Sequence, residues 1–153
     1  MRAHDGLGFV TEERSVFMQL TVAENLRLGR GRPDDAVDLM PELKSLLNRR
    51  AALLSGGEQQ MLTLARVLAG NCQGLLIDEI SLGLAPVIVA RLLRALREAA
   101  LAKNLAVVLV EQHISSALKI ADRAIVMQRG RAVLEGTSAE LAARTGEIRS
   151  FYL

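Results

Sequence analysis

The stretch LLSGGEQQMLTLARVLAG, residues 53–70, decides how the rest of the chain is interpreted. Ser55 and Glu58 have the spacing of a capping box, which predicts that a helix begins here. Gly56 and Gly57 follow the cap, and each glycine in a helix costs up to about 1 kcal/mol relative to alanine, so a purely structural account leaves the pair as a defect. Without β-carbons, however, their amides can approach a large anion closely at the positive end of the helix dipole. The segment therefore predicts a phosphate-binding helix N-terminus.

Composition indicates one aliphatic domain. The chain has 153 residues, 50% of them hydrophobic, which is enough for one packed core. A net charge of +2 and very few aromatic residues give little support for nucleic-acid binding. Cys72 is the one cysteine, so we expect a reducing compartment. The longest apolar run, Leu105 to Val110, is far shorter than the ~20 residues of a membrane-spanning helix, and the start of the chain has no signal-peptide core; we expect a cytoplasmic protein.

The second half of the chain alternates strand patterns with helix patterns. Apolar runs at 75–77 and 105–110 predict two buried strands. Between them we expect a helix with Pro86 in its first turn and Asn104 at its end. A short helix is expected over about 114–121. This order indicates an α/β fold with a parallel sheet covered by helices.

Turn and capping signals divide the remaining segments. Residues 124–128 and 132–134 flank Arg129-Gly130-Arg131 and predict an antiparallel hairpin. Further elements are expected: a strand at 8–10, helices beginning at the capping boxes Thr21 with Glu24 and Thr137 with Glu140, and one or two helices over 33–48.

Two acidic residues, Asp78 and Glu79, directly follow the first buried strand. In open parallel sheets ligands bind beyond the carboxyl ends of the strands, where one carboxylate can hold a divalent cation and the other can activate water. His113 follows the next strand and would reach the same edge, where it can hydrogen-bond a phosphate oxygen. The alternatives are a solvated acidic loop and an incidental loop histidine.

The loop that normally cradles nucleotide phosphates is not in this sequence. The chain contains no G-x-x-x-x-G-K-[ST] motif, and none of its lysines follows a glycine. The sequence therefore offers carboxylates for a metal and a helix end for a phosphate, without a P-loop.

The motif LSGGEQQ at Leu54–Gln60 matches the signature of ABC transporter ATP-binding subunits at every position, and essentially the whole chain resembles that family. The segments SLGLAP, VEQH, ALKIADR and IRSFYL look most like the subunits of branched-chain amino acid importers. Further similar segments are the Walker B strand at Leu75–Asp78 with Glu79 as catalytic glutamate, the D-loop at Ser81–Pro86, the switch histidine His113, the Q-loop at Gly8–Glu12 and the start of the helical subdomain at Leu20–Leu26.

The resemblance implies a partial, P-loop NTPase-like ABC nucleotide-binding domain: a mostly parallel sheet with helices on both faces and a small helical subdomain. Residues 1–153 would form this single incomplete domain. The helical subdomain with the signature would occupy about 13–70, and the Walker B, D-loop and switch-histidine part of the catalytic core about 71–153.

The same resemblance implies an ABC-type ATPase that uses ATP and Mg2+ and couples hydrolysis at a dimer interface to import. Its partners would be transmembrane permease subunits, whose helix would lie near Val16–Met18, and a second ATP-binding subunit, identical or different. It would lie on the inner face of the cell membrane and bind no nucleic acid. The implied roles are Asp78 and Glu12 for Mg2+, Glu79 for polarising the attacking water, His113 for sensing the γ-phosphate, and Ser55, Gly56, Gly57 and Glu58 for binding the ATP of the opposite subunit.

Three features depart from the family pattern. Glu12 replaces the Q-loop glutamine, Ile80 replaces a proline, and the N-terminal part with the Walker A loop is missing. We expect a truncated gene or a start codon placed too late, and no appreciable ATP turnover by this chain alone. Two other functions stay open: the C-terminal half of a chromosome-maintenance or repair ATPase, and a non-catalytic module that regulates complete ABC subunits.

Overall fold

The computed structural model describes residues 6–151 and divides into two compact units, one ending at Val110 and the other beginning at Glu111. The last two residues of the IRSFYL ending lie outside the described part. Within residues 6–151 no helix is both long and apolar enough to cross a membrane. The first unit contains β1 (Leu7–Val10), α1 (Val22–Arg27), α2 (Pro33–Leu39), 3-10 helices at Pro41–Leu46 and Ala51–Leu53, α3 (Gly56–Leu68), β2 (Gly74–Asp78), α4 (Pro86–Lys103) and β3 (Ala106–Val110). The second contains α5 (Ile114–Ala117), β4 (Arg123–Gln128), β5 (Arg131–Thr137), α6 (Ser138–Ala142) and α7 (Thr145–Ser150).

The first unit is built on a parallel sheet with the strand order β1-β2-β3. Val10 pairs with Ile77, and Asp78 pairs with Val110, so the three strands end at the same edge. The chain crosses from β1 to β2 through α1–α3 and from β2 to β3 through α4, as parallel pairing requires. The predicted parallel α/β architecture is confirmed.

The core of this unit lies on the sheet face that α3 covers. Leu75 and Ile77 of β2 are fully buried there, as are Leu62 and Leu64 of α3. Gly8 of β1 allows the close approach, because a β-carbon on it would lie 2.8 Å from Cγ1 of Val67 in α3. Each buried aliphatic side chain contributes about 1.5–3 kcal/mol, and this packing fixes α3 against the strands.

The opposite face of the sheet is open in the described part of the chain. Val108 and Val110 of β3 are 59% and 55% exposed, and Phe9, which shares a register row with Leu76 and Val108, is exposed as well. The prediction of a second buried strand at 105–110 is therefore wrong on this face. An apolar run shows that a strand can be covered on both sides, and it does not show that a covering element is present.

Local signals predicted most helix boundaries. Pro86 is the first residue of α4, and Asn104 ends that helix in the left-handed conformation at φ 50°. All three predicted capping boxes are present. The helix expected over 114–121 is shorter than predicted, because the amides of Ile120 and Ala121 both donate to the carbonyl of Ala117 and close irregular turns instead of continuing α5.

The second unit contains the predicted hairpin. β4 and β5 pair antiparallel, and the two turn residues Arg129 and Gly130 both have positive φ, 47° and 77°, as a tight two-residue hairpin turn requires. Val126, Leu141 and Ile148 form the small core beneath it.

Candidate functional site

The turn Ser55–Glu58 begins α3 and has the predicted capping box. Oγ of Ser55 accepts a hydrogen bond from the Glu58 amide at 3.3 Å, and Oε2 of Glu58 accepts one from the Ser55 amide at 2.6 Å. The amides of Gly56 and Gly57 belong to the first turn, where no helical carbonyl four residues earlier can accept their hydrogen bonds. The helix dipole places about half a positive charge at this end. Because Ser55 is exposed, the turn is accessible to an anion from solvent.

Side chains from elsewhere in the first unit lie close to both glycines of the turn. A β-carbon on Gly57, which is buried, would lie 3.0 Å from Cγ2 of Ile88 in α4. A β-carbon on Gly56 would lie 2.9 Å from Nη1 of Arg14. A β-carbon on Gly56 would displace only the flexible end of the Arg14 side chain, so packing accounts for Gly57 and not for the pair. The contacts of Arg14 and Ile88 with these glycines could not be predicted from the sequence, because both join residues that are far apart in the chain.

Asp78 and Glu79 stand at the carboxyl edge of the sheet. Asp78 is the exposed last residue of β2. Glu79 has φ 47°, a left-handed conformation that non-glycine residues seldom adopt, and its amide donates to the carbonyl of Val110 at 3.0 Å. Ile80 and Ser81 are buried directly after it, so the apolar side chain that replaces the family's proline anchors the loop. Backbone strain that persists because its surroundings fix it is frequent at functional sites.

Glu12 lies two residues beyond the end of β1, at the same sheet edge as Asp78, and both side chains belong to exposed residues. Within residues 6–151 no three histidine, cysteine, aspartate or glutamate side chains converge on a possible metal position. Mg2+ usually keeps several waters and takes only one or two protein carboxylates, so the predicted role of Glu12 and Asp78 stays a prediction.

His113 belongs to the second unit, where it precedes α5. Its side chain is largely exposed, and its Nδ1 lies 3.8 Å from Oε2 of Glu111, whose side chain is only 2% exposed. A buried carboxylate beside one ring nitrogen can set the orientation of the imidazole. The sequence analysis did not single out Glu111.

Two buried amide side chains hold the loops around α3. Oδ1 of Asn25 accepts from the Phe17 amide at 2.9 Å, and its Nδ2 donates to the carbonyls of Phe17 and Thr21, each at 3.0 Å. Nε2 of Gln59 donates to the carbonyl of Ala51 at 3.1 Å. Sequence reasoning missed both, although Asn25 stands at a core-facing helical spacing, which was the available signal.

A model of the family described as ABC transporter matches residues 2–81. The chain belongs to this family. It is 40% identical over 156 residues to the high-affinity branched-chain amino acid transport ATP-binding protein BraG of Pseudomonas aeruginosa, with 96% of this chain and 66% of the relative covered. It is 36% identical over 149 residues to the probable branched-chain amino acid transport ATP-binding protein LivF of Archaeoglobus fulgidus, with 89% and 61% covered. The chain thus spans 66% and 61% of the lengths of these two relatives.

Solved structures agree with this assignment. One is the dimeric structure of the ATP-binding cassette MJ0796 in a post-hydrolysis state, bound to ADP and Pi. It superposes on this chain with a TM-score of 0.74 at 25% identity. The match covers 88% of this chain and 63% of the MJ0796 chain. The predicted family and fold, an ABC transporter ATP-binding domain of the α/β class, are confirmed.

Proposed function

We propose that this ABC transporter chain is an ATP-binding and ATP-hydrolysing subunit of an importer for branched-chain or other amino acids. The observation that carries the proposal is the Ser55–Glu58 turn: the full signature sequence stands at a capped helix N-terminus whose cap residue, Ser55, is exposed. The branched-chain names of two relatives support the substrate class. The subunit would work on the cytoplasmic face of the cell membrane.

In this proposal the α3 turn binds the γ-phosphate of an ATP that a second ATP-binding subunit holds. The Ser55 hydroxyl and the amides of Gly56 and Gly57 would donate to its oxygens, while Glu58 keeps the turn closed through its bond to the Ser55 amide. The dimeric state of the superposed cassette supports a second subunit, either identical or different.

The carboxyl edge of the sheet supplies the hydrolytic groups of the proposal. Asp78 and Glu12 would hold Mg2+, which neutralises charge on the phosphate oxygens when bound. The Glu79 carboxylate would orient the attacking water and accept its proton. The imidazole of His113 would donate a hydrogen bond to the γ-phosphate, and Glu111 would set the orientation of the ring.

An exposed apolar patch fits a contact with transmembrane permease subunits. Phe17, Met18 and Leu53 are large exposed hydrophobic residues of the first unit. Their two segments adjoin, because the Ala52 amide donates to the Met18 carbonyl at 3.0 Å. Clustered exposed apolar side chains are typical of protein-protein contacts, and we propose that this patch, with Val16, receives a helix of the permease.

Because the sequence contains no P-loop motif, the contribution of the signature turn can be measured separately from that of a P-loop. We expect no appreciable ATP turnover by the 153-residue chain alone, because the lysine and nested amides that carry most phosphate contacts are not in its sequence. Paired with a complete subunit, however, the chain can complete one site by presenting its α3 turn to the partner's P-loop.

The test mixes the purified chain with the complete Pseudomonas aeruginosa relative after the relative's own signature serine has been replaced by arginine. Neither protein should hydrolyse ATP by itself, and the mixture should recover Mg2+-dependent phosphate release at one site. Ser55→Arg in this chain should abolish the recovered activity. Glu79→Gln should leave it nearly unchanged, because Glu79 belongs to the half-site that lacks a P-loop. A mixed complex that forms on a sizing column and releases no phosphate would contradict the proposal.

One other function from the sequence analysis stays open, a non-catalytic module that regulates complete subunits. The two differ in their effect on an unmodified complete subunit. A regulator should lower its ATPase rate as the chain is added, whereas the proposed subunit should sustain the rate. The family match and the branched-chain relatives favour both over a repair ATPase.

A further inference from the structure

The guanidinium of Arg14 stands against the first turn of α3. A β-carbon built on Gly56 would lie 2.9 Å from its Nη1 and 3.1 Å from its Cζ and Nη2. The same Nη2 lies 4.0 Å from the β-carbon position of Gly83, in the loop that follows β2. The charged group of the loop after β1 therefore lies between the α3 N-terminus and the loop that follows Asp78.

The backbone holds Arg14 in this place. Its φ of 58° is left-handed, and its carbonyl accepts a hydrogen bond at 2.6 Å from Oγ1 of Thr63, a buried residue of α3. The next residue, Ser15, is attached to α3 as well, because the guanidinium of Arg66 donates to its carbonyl. Two attachments about one helical turn apart fix the segment that carries Arg14 along α3.

This arrangement is electrostatically unfavourable until an anion binds. The N-terminal end of α3 is already positive, so a second positive charge beside it is repelled. Within residues 6–151 no carboxylate lies within ion-pair distance of the Arg14 guanidinium. The carboxylate of the turn itself, on Glu58, accepts from the Ser55 amide instead.

Gln60 adds a second donor without an acceptor. It is only 2% exposed, and in the described part of the chain its buried Nε2 has no hydrogen-bond partner. It stands four residues after Gly56, so the two positions lie on the same face of α3. A buried amide donor is costly to leave unpaired.

We propose that Arg14 is a further phosphate-binding residue of this site, whose guanidinium binds the terminal phosphate of the nucleoside triphosphate that the α3 turn meets. This inference rests on the proposed function of that turn. A terminal phosphate has enough oxygens to accept from the helix amides and from a guanidinium together, and the planar guanidinium pairs with two phosphate oxygens at once. The loop after β1 would thereby contact the nucleotide directly.

The test measures binding of inorganic tripolyphosphate to the full 153-residue chain. The amide resonances of Gly56 and Gly57 are followed by NMR as tripolyphosphate is added. A unit charge about 5 Å from a doubly charged phosphate in water changes affinity about tenfold by Coulomb's law, so Arg14→Gln should weaken binding about tenfold. Arg14→Lys keeps the charge and loses the paired hydrogen bonds of the guanidinium, so it should bind more tightly than Arg14→Gln and less tightly than wild type.

Arg94→Gln is the matched control. Arg94 is an exposed residue of α4, so this variant removes the same charge away from the turn and should bind almost as the wild type does. If Arg14→Gln binds as tightly as wild type while the amide shifts persist, the role of Arg14 is overturned and that of the α3 turn stands. Equal weakening by both variants would also overturn it, because only overall charge would matter. No shift at Gly56 and Gly57 in the wild-type chain would overturn the phosphate-binding turn itself.

Discussion

The Ser55 hydroxyl has a structural and a proposed functional role, and Thr21 provides a matched cap with which to separate them. Both residues cap helices of the first unit. Oγ of Ser55 accepts from the Glu58 amide at 3.3 Å, and Oγ1 of Thr21 accepts from the Glu24 amide at 3.2 Å. The return bonds from the capping amides to the glutamate carboxylates measure 2.6 and 2.7 Å. The Thr21 box has one further hydrogen bond, from Oγ1 of Thr21 to Oε2 of Glu24 at 2.8 Å, and the two boxes otherwise share the same pattern.

Replacement of either cap by alanine should have nearly the same effect on stability. Loss of an N-cap serine or threonine costs about 1 kcal/mol. We expect Ser55→Ala and Thr21→Ala each to lower the free energy of unfolding by that amount, which corresponds to a fall in Tm of about 2–4 °C for a chain of this length. Urea and thermal unfolding followed by circular dichroism measure both values.

The two variants should differ in ATP turnover. In the mixed assembly with the complete relative, Thr21→Ala should keep phosphate release close to the wild-type rate. Ser55→Ala removes a hydrogen bond to a charged phosphate, which is worth about 1.5–3 kcal/mol, and should lower turnover about tenfold or more. If the two variants lose equal activity at equal folded fraction, Ser55 acts only as a cap and the reasoning that places its hydroxyl on phosphate is refuted.

Two further predictions concern stability. Gly31→Ala should lower the free energy of unfolding by about 1–3 kcal/mol or more, because the new β-carbon would lie 2.0 Å from the carbonyl oxygen of Ala69. Gly146→Ala is the control, because no atom lies within 4 Å of the β-carbon position of Gly146. This variant should leave Tm unchanged or slightly raised. A side-chain hydrogen bond from Arg91 at 2.7 Å lowers the pKa of Glu42 below its usual 4.5. A carboxylate with a depressed folded-state pKa stabilises the fold above its unfolded pKa and loses that contribution as pH falls through the folded value. Urea midpoints measured from pH 7 to pH 3 should therefore fall less steeply for Glu42→Gln than for wild type.

Features whose cause lies within a few residues were predictable from the sequence. The cap at Ser55 and the end of α4 at Asn104 depend on side chains that bond to the adjacent backbone or tolerate its left-handed conformation. The hairpin turn at Arg129–Gly130 is similarly local, since it requires positive φ at both positions.

Features that depend on distant neighbours were not predictable. The apolar run of β3 gave no indication that Val108 and Val110 would be exposed, because burial depends on an element that packs over the strand. The motif placed Gly56 at a helix N-terminus, and it did not indicate that Arg14 packs on it. Sequence patterns thus located the signature turn, while the tertiary fold determined which charge accompanies it.

Backbone strain gives a separate reason to regard the carboxyl edge of the first unit as organised for a ligand. Four non-glycine residues within residues 6–151 have positive φ. Asn104 ends α4, and Arg129 lies in the turn between β4 and β5, so the conformations of both residues have local causes. Arg14 and Glu79 follow β1 and β2, and each is fixed by one long-range hydrogen bond, from Thr63 and to Val110 respectively. Because long-range hydrogen bonds hold the backbones of these two residues in costly conformations, the conformational entropy of both segments is lost during folding and not on binding of a ligand.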